Sequence, residues 1–383
     1  MRSSAGQIPF RQLSPVSTRS SVDGADDTHN VPSKLEVRQL PEAQYDTWTK
    51  LVSKSAAGTI YNTPEYLDCL CSAAGGSFRI LAAERHGELV GGIAVYEQQR
   101  FWGKQFTGRL LLYYNGIVEA PIAGKYPSEV TAQHTDMMSA LEAALRLLGC
   151  GRIQIRNRHP FTDARVFISK GWRVIPSYSY EVALNSLDAT WARMEHNLHR
   201  LVRRSEREHL QFSEDDDFDS FYKLHEQTHQ RKKVALYLPR KAFEQYFRRL
   251  YAQGMGRLFH ARLSGGRAVS SQLVLCGPHA VSHTVAAATD AEYLQLGATA
   301  FLRWKAFETL AQLGFLANDL TDATLNPVTH FKSQLGGDLK MNLVLEYPES
   351  MPFTVERMIR RSNQVVRSVA KAAVGPALRR FGH

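Results

Sequence analysis

From Lys34 onward, apolar and polar positions recur with readable periods. Alternation over Leu35 to Leu40 predicts a short strand, and a helical spacing follows near Gln44 to Ser53. Pro64, one position after Thr63, marks a first helical turn behind a capping hydroxyl, so a helix is expected to run to about Ala74. The apolar runs Phe78 to Glu84 and Leu89 to Tyr96 flank Arg85-His86-Gly87-Glu88 and predict a β-hairpin. A second pair, Leu258 to Leu263 and Ala268 to Leu275, flanks Ser264-Gly265-Gly266-Arg267 in the same manner.

The two hairpins superpose at an offset of 179 residues, with Gly87 on Gly266 and Gly91-Gly92 on Ser270-Ser271. The correspondence continues beyond them. An amphipathic helix over about Glu129 to Leu148 ends at Gly149, and another over about Ala298 to Leu313 ends at Gly314, where a left-handed residue closes the helix. A strand follows each, Arg152 to Arg156 and Ala317 to Thr321. Then come Val166-Phe167-Ile168-Ser169-Lys170-Gly171 and Phe331-Lys332-Ser333-Gln334-Leu335-Gly336, at an offset of 165. The change of offset makes the first copy about 14 residues longer, between Gln98 and Ser128. The pattern therefore predicts an internal duplication, and the fold class is α/β (α+β). Its expected domains are 34–185 and 186–350, each a mixed, mostly antiparallel sheet flanked by helices.

Composition adds limits. A chain of 383 residues with 44% hydrophobic and 22% charged positions suits two soluble cores. Residues 1–33 mix Ser, Thr, Pro, Gly and Asp without period and are expected to be a disordered leader. No apolar run has the length of a membrane span or a signal-peptide core, so a cytoplasmic protein is expected. Cys69, Cys71, Cys150 and Cys276 match neither a zinc-ligand nor a disulfide spacing, and no metal is expected. The Gly-x-Ser-x-Gly, Gly-Lys-Ser/Thr and His-Glu-x-x-His signatures are absent, which removes the common hydrolase, nucleoside-triphosphatase and zinc-protease classes.

The net charge of +10 is unevenly placed, since residues 352–383 carry +6 of it. Val355, Met358, Ile359, Val366, Val369 and Ala373 approximate one face of a helix there, with arginines largely opposite. Such a basic amphipathic helix, expected over 351–383, suits an anionic membrane surface at the inner face of the membrane, with a helix docked on the body or a frayed tail as the competing reading. A second basic element spans Asp188 to Leu210, a predicted helix with Arg193, Arg200, Arg204 and Arg207 on one face. Dense arginine of this kind suits phosphate or carboxylate recognition, with a solvated surface face as the competing reading.

Trp191, the helix Asn197-Leu198-His199-Arg200-Leu201-Val202-Arg203-Arg204-Ser205-Glu206-Arg207, the second hairpin, Ala288-Thr289-Asp290-Ala291-Glu292-Tyr293 and Phe331-Lys332-Ser333-Gln334-Leu335-Gly336 together carry a likeness. Over residues 35–347 the chain resembles the FemAB-like branch of the GNAT superfamily, and especially the GNAT domain of CelD-like polysaccharide-biosynthesis proteins. The resemblance implies two tandem GNAT domains and an acyltransferase whose working site lies in the second copy. It carries an active-site lysine onto Lys332 and a strand-end carboxylate onto Asp319. Leu294-Gln295-Leu296-Gly297-Ala298-Thr299 partly matches the pyrophosphate loop of CoA-binding members, so Gly297, Ala298 and Thr299 are the candidate contacts of an acyl-CoA donor such as acetyl-CoA. No long helical hairpin of the tRNA-engaging kind is readable between Gln211 and Arg257, which lowers aminoacyl-tRNA as donor.

Acyl transfer needs a deprotonated acceptor, an electrostatic partner for the oxyanion and a donor held in register. Lys332 suits a phosphate or a polarised carbonyl, Asp319 a proton or the orientation of Lys332, and His283 a base near neutral pH, against the competing readings of a surface lysine, a strand-end cap and a hydrogen-bonded core histidine. Tyr114 and Asn115, with Tyr113, offer an aromatic wall to the acceptor, while Arg200 and Arg204 offer charge. The expected acceptor is a small-molecule or lipid-linked saccharide, an amino sugar or another cell-envelope precursor. A tRNA-dependent aminoacyltransferase and a non-catalytic basic binding module are the alternatives.

Overall fold

The structure is a computed structural model that describes residues 35–107, 111–236, 238–359 and 362. The expected leader over 1–33, and the expected C-terminal helix beyond residue 359, lie outside the described residues apart from Ser362.

The first half runs β1 (Glu36–Gln39), α1 (Tyr45–Lys54), α2 (Pro64–Ala74), β2 (Ser77–Arg85), β3 (Glu88–Arg100), β4 (Gly103–Phe106), β5 (Ile117–Glu119), α3 (Pro127–Leu147), β6 (Arg152–Asn157), α4 (Arg165–Ser169) and β7 (Arg173–Ala183). The second begins with α5 (Leu187–Arg193), α6 (His196–Arg207), β8 (Gln211–Glu214), α7 (Phe218–Lys232) and α8 (Arg240–Ala252). It continues through β9 (Gly256–Arg262), β10 (Ala268–Leu275), β11 (Val281–Thr289), α9 (Ala298–Gln312), β12 (Ala317–Asp322), α10 (Pro327–Ser333) and β13 (Asp338–Glu346). The local signals act as expected. Thr63 caps α2 by accepting from the Tyr66 amide, and Gly149 and Gly314 follow their helices with φ of 65° and 87°. The predicted helix Asp188 to Leu210 is corrected: it is two helices, because Met194 is extended (φ −67°, ψ 148°) and breaks the rod between α5 and α6.

Among the described residues all strands join one 13-stranded sheet in the order β1-β2-β3-β4-β6-β13-β7-β12-β11-β10-β9-β8, with β5 beside β3. The middle of that order is an exchange between the halves. β7 and β13 end their respective copies, yet β13 pairs antiparallel with β6 of the first half, and β7 pairs antiparallel with β12 of the second. The two exchanged strands also pair with each other over nine residues, Asp338↔Glu181 to Glu346↔Arg173. The first half contributes one core under α3, containing Met137, Met138, Leu141 and Phe167, and the second contributes another around α6 and α9. A third core joins α2 of the first half to α7 and α8 of the second, where the Tyr66 and Tyr246 hydroxyls meet at 3.0 Å.

Candidate active site

The second half opens a cleft because two parallel strands part. β11 and β12 pair at Val281↔Ala317, Ser282↔Asn318 and His283↔Asp319, and no further register is kept beyond that point. Thr321 marks the departure: it is a β-branched residue with φ of 55°, a left-handed backbone that costs on the order of 1–3 kcal/mol and persists only where the surroundings fix it. Three contacts fix it. Its amide donates to Asp319 Oδ1 at 2.6 Å, its hydroxyl donates to the Thr284 carbonyl at 3.1 Å, and its own carbonyl accepts from Lys332 Nζ at 3.2 Å.

Between Thr284–Ala287 of β11 and Leu320–Asp322 of β12 lies a cavity of about 640 Å³. Its wall is strongly cationic. Arg303 from α9, Lys332 from α10 and Lys232 from the end of α7 face it, joined by His225 and His229, with Asp322 as the carboxylate of the lining. Lys332 is largely buried and donates to the Thr321 and Asp322 carbonyls, the latter at 2.6 Å. Burial, helped by the nearby Arg303 charge, pushes its ammonium down to about 8. Arg303 is 7% exposed, and among the described residues its Nε and Nη1 have no hydrogen-bond partner. Burial alone lowers its guanidinium to about 10. A buried guanidinium with two open donors is costly unless an anion completes it. His225 is pushed down to about 4 by burial and by His229, so it is neutral at pH 7.

The expected site residues divide between this wall and its foundations. Lys332 lines the cavity, while Asp319 and His283 are fully buried and are not among its lining residues. Asp319 Oδ2 accepts from the Tyr114 hydroxyl at 2.8 Å and stands 3.4 Å from Ser179 Oγ. Burial raises the Asp319 carboxyl against the lowering effect of the Tyr114 hydroxyl, the Arg158 charge and the Thr321 amide. His283 packs between the Tyr61 and Tyr114 rings, with Nδ1 at 3.9 Å from Asp319 Oδ2, and burial holds it well below its ordinary value. Tyr114 thus reaches the carboxylate rather than the cavity, and its neighbour Tyr113 lines the cavity instead. Asn115 is a strut, donating to the Gln154 carbonyl and accepting from the Arg156 amide.

The remaining expectations fall at the start of α9 and on α6. Gly297, with φ of 95°, starts α9 against α6, where a Cβ would stand 2.7 Å from Leu201 Cβ and from the Leu201 carbonyl oxygen. Ala298 is buried, and Thr299 Oγ1 bonds Thr289 Oγ1 at 2.8 Å. Arg200 and Arg204 are exposed on α6, engaging Asn197 and the Gln295 carbonyl, and neither lines the cavity. Among the described residues no group of three His, Cys, Asp or Glu side chains is placed to hold a metal.

The duplication shows why one half carries the wall. At the offset of 165 that aligns α3 with α9, Arg303 corresponds to Met138 and Lys332 to Phe167. Both are fully buried in the first core. The charged positions of the second cleft are therefore apolar packing in the first. Sequence reading found Lys332 through its motif and missed Arg303, whose one signal is an arginine inside the apolar helix Ala-Phe-Leu-Arg-Trp-Lys-Ala-Phe.

Residues 192–333, which supply all of this cavity's lining except Tyr113, match the family model described as an acetyltransferase (GNAT) domain. The chain is similar in structure to FemX, with a TM-score of 0.66 and 11% identity over 85% of this chain and 99% of that one. It is similar to the C-terminal domain of a putative lysylphosphatidylglycerol synthetase from Agrobacterium fabrum, with a TM-score of 0.53 and 12% identity over 82% and 94%. It is also similar to a tandem GNAT protein from the clavulanic acid biosynthesis pathway, with a TM-score of 0.50 and 10% identity over 82% and 98%. No curated protein matches the sequence. The fold is thus shared with FemX and with a tandem GNAT protein, and the family-model match to a GNAT domain falls in the second half.

Proposed function

We propose that this tandem GNAT chain transfers an acyl group, carried by a phosphate-bearing donor such as an acyl-CoA, to the amine or hydroxyl of a sugar, amino sugar or cell-envelope precursor. One observation carries the reading: the parted strands of the second half open onto a cavity of about 640 Å³ in which Arg303 and Lys332 face the same space. Arg303, a buried guanidinium on the cavity wall, suits charge-assisted hydrogen bonding to a phosphate or carboxylate. Lys332, anchored by two carbonyls, keeps one N–H for the oxyanion that forms when the acceptor attacks the acyl carbon. Asp319 acts one step back as a positioning residue, because it fixes the Thr321 backbone whose carbonyl orients Lys332. The fold shared with FemX and with a lysylphosphatidylglycerol synthetase supports an acceptor or donor of the cell envelope.

Thermal unfolding of the full chain with a panel of acyl-CoAs and charged tRNAs tests the donor, since a ligand of the folded state raises apparent stability. An upward shift with acyl-CoA that is lost in Arg303→Met supports the reading. A shift with charged tRNA alone reassigns the donor, and no shift with any of them removes the cavity from acyl transfer.

A further inference from the structure

Far from the cleft, the turn between β3 and β4 has two residues, Phe101 and Trp102, because Arg100 pairs with Gly103. Two-residue turns favour Asn, Asp and Gly, so two aromatic side chains there run against local turn chemistry. Phe101 is 92% exposed, and its ring meets Trp102 edge-on at 5.0 Å. The base of this turn adjoins the helix at 351–359. That helix docks through Phe353, which is fully buried, and a Cβ on Gly103 would stand 3.4 Å from the Phe353 ring. Arg152 covers the same ring at 4.6 Å while binding Glu349 at 2.7 Å and Glu356 at 3.2 Å.

With Phe353 and Glu356 turned inward, the other face of the helix presents Met351, Val355, Met358 and Ile359, all exposed, at the i, i+4, i+7, i+8 spacing of one helical stripe. Polar residues would serve an outward face better, so this stripe has an occupant. Charge identifies it. Beside the helix, Arg152, Arg156, Arg173 and Arg357 line a cavity of about 590 Å³. Its two glutamates are engaged, Glu346 by Arg173 and Glu349 by Arg152 and Arg357, and Arg156 has no carboxylate partner among the described residues. Arg100 and Lys104 flank the aromatic turn, and the sequence from 352 to 383 adds a net +6.

We infer that the Phe101-Trp102 turn and the outer face of the 351–359 helix form one docking surface for a bilayer containing anionic lipid. Aromatic rings enter the headgroup boundary, the aliphatic stripe lies flat in it, and the arginine-lined cavity takes a lipid phosphate. Among the described residues no helix is long and apolar enough to cross a membrane, and the inferred contact is one at the bilayer surface. This inference goes beyond acyl transfer and does not depend on it.

The test uses the full chain with vesicles of phosphatidylcholine alone and of phosphatidylcholine mixed with phosphatidylglycerol. Sedimentation with the mixed vesicles, weakening as salt rises, is the expected result. Phe101→Asp combined with Met358→Asp should lower that binding by about tenfold or more. Trp102→Phe should remove the blue shift of tryptophan emission that vesicles induce. Both changes in the first variant are at exposed positions, so its melting temperature should match wild type, and Phe101→Asp alone serves if it does not. Failure to bind mixed vesicles, or equal binding by wild type and Phe101→Asp, overturns the inference. So does a wild-type dimer that Met358→Asp converts to monomer, which assigns the stripe to a second copy. Acyl transfer to a water-soluble acceptor should be unchanged by Phe101→Asp, which separates failure of this surface from failure of the catalytic reading.

Discussion

Replacing Arg303 by Met should make the protein more stable and remove its ligand response. The guanidinium is 7% exposed, and burial lowers it from its ordinary value to about 10. That depression is equivalent to a cost on the order of 3 kcal/mol for keeping the charge at neutral pH. Exchange of a buried charge for an apolar side chain of similar volume is commonly neutral or stabilising by about 1–4 kcal/mol. Met fills most of the same space beside Leu302 and Trp304 and brings no open donors. A gain of about 2 kcal/mol is therefore expected, which is roughly a 3 °C rise in Tm for a folded unit of this length. The same change deletes a charged hydrogen bond to the ligand, so the affinity for acyl-CoA or pyrophosphate should fall by about 100-fold. Scanning calorimetry with and without pyrophosphate reads both effects. A Tm that drops by several degrees would mean that the guanidinium is satisfied within the fold, and the assignment of an anion to this cavity would fail with it.

Three further outcomes follow from the site. Lys332→Ala should lower the transfer rate by about 100-fold or more; because its ammonium is pushed down to about 8, wild-type kcat/KM should fall as pH rises through that value, and a rise through the same window would make Lys332 a base instead of a cation. Asp319→Asn should keep most of the activity, since the amide oxygen can still accept from the Thr321 amide, whereas Asp319→Ala should lose it; an Asn variant as inactive as Lys332→Ala would give the carboxylate a direct part in the chemistry. Gly297→Ala should cost about 2 kcal/mol or more in denaturant unfolding, since the left-handed backbone and the Leu201 contact at 2.7 Å both oppose a methyl group, and a neutral effect would show that α6 and α9 can move apart.

Much of this architecture was legible because it rests on local rules. Thr63-Pro64, the glycines after α3 and α9, and the alternation on either side of Gly87 and Gly266 each report a backbone need that few residues meet. The element holding Lys332 was found by its likeness to the first-half segment ending at Gly171. Arg303 escaped because a single charge inside an apolar helix looks like a surface position until tertiary packing closes over it. Comparison of the two copies holds the missing signal: where a buried Met138 and Phe167 stand in one, an arginine and a lysine stand in the other, and apolar packing rarely yields to two charges without a ligand. The break at Met194 was hidden for a different reason, since no Gly or Pro marks it and helical spacing continues on both sides.

The strand exchange had no sequence signal at all, and it shapes the site most. β7 and β13 are equivalent strands, so pairing rules based on alternation cannot say which copy receives which. In the observed order, β12 takes its antiparallel partner from the first half, with Asp319 opposite Glu181. The Asp319 carboxylate that fixes Thr321 is in turn held by Tyr114 and lies near Ser179, both from the first half, while Asn342 of β13 reaches the Tyr114 and Ser179 hydroxyls at 3.4 and 3.2 Å. The backbone turn that opens the cleft therefore depends on side chains more than 100 residues away in sequence. The half whose equivalent positions are the buried Met138 and Phe167 therefore helps to shape the half that carries the cationic wall.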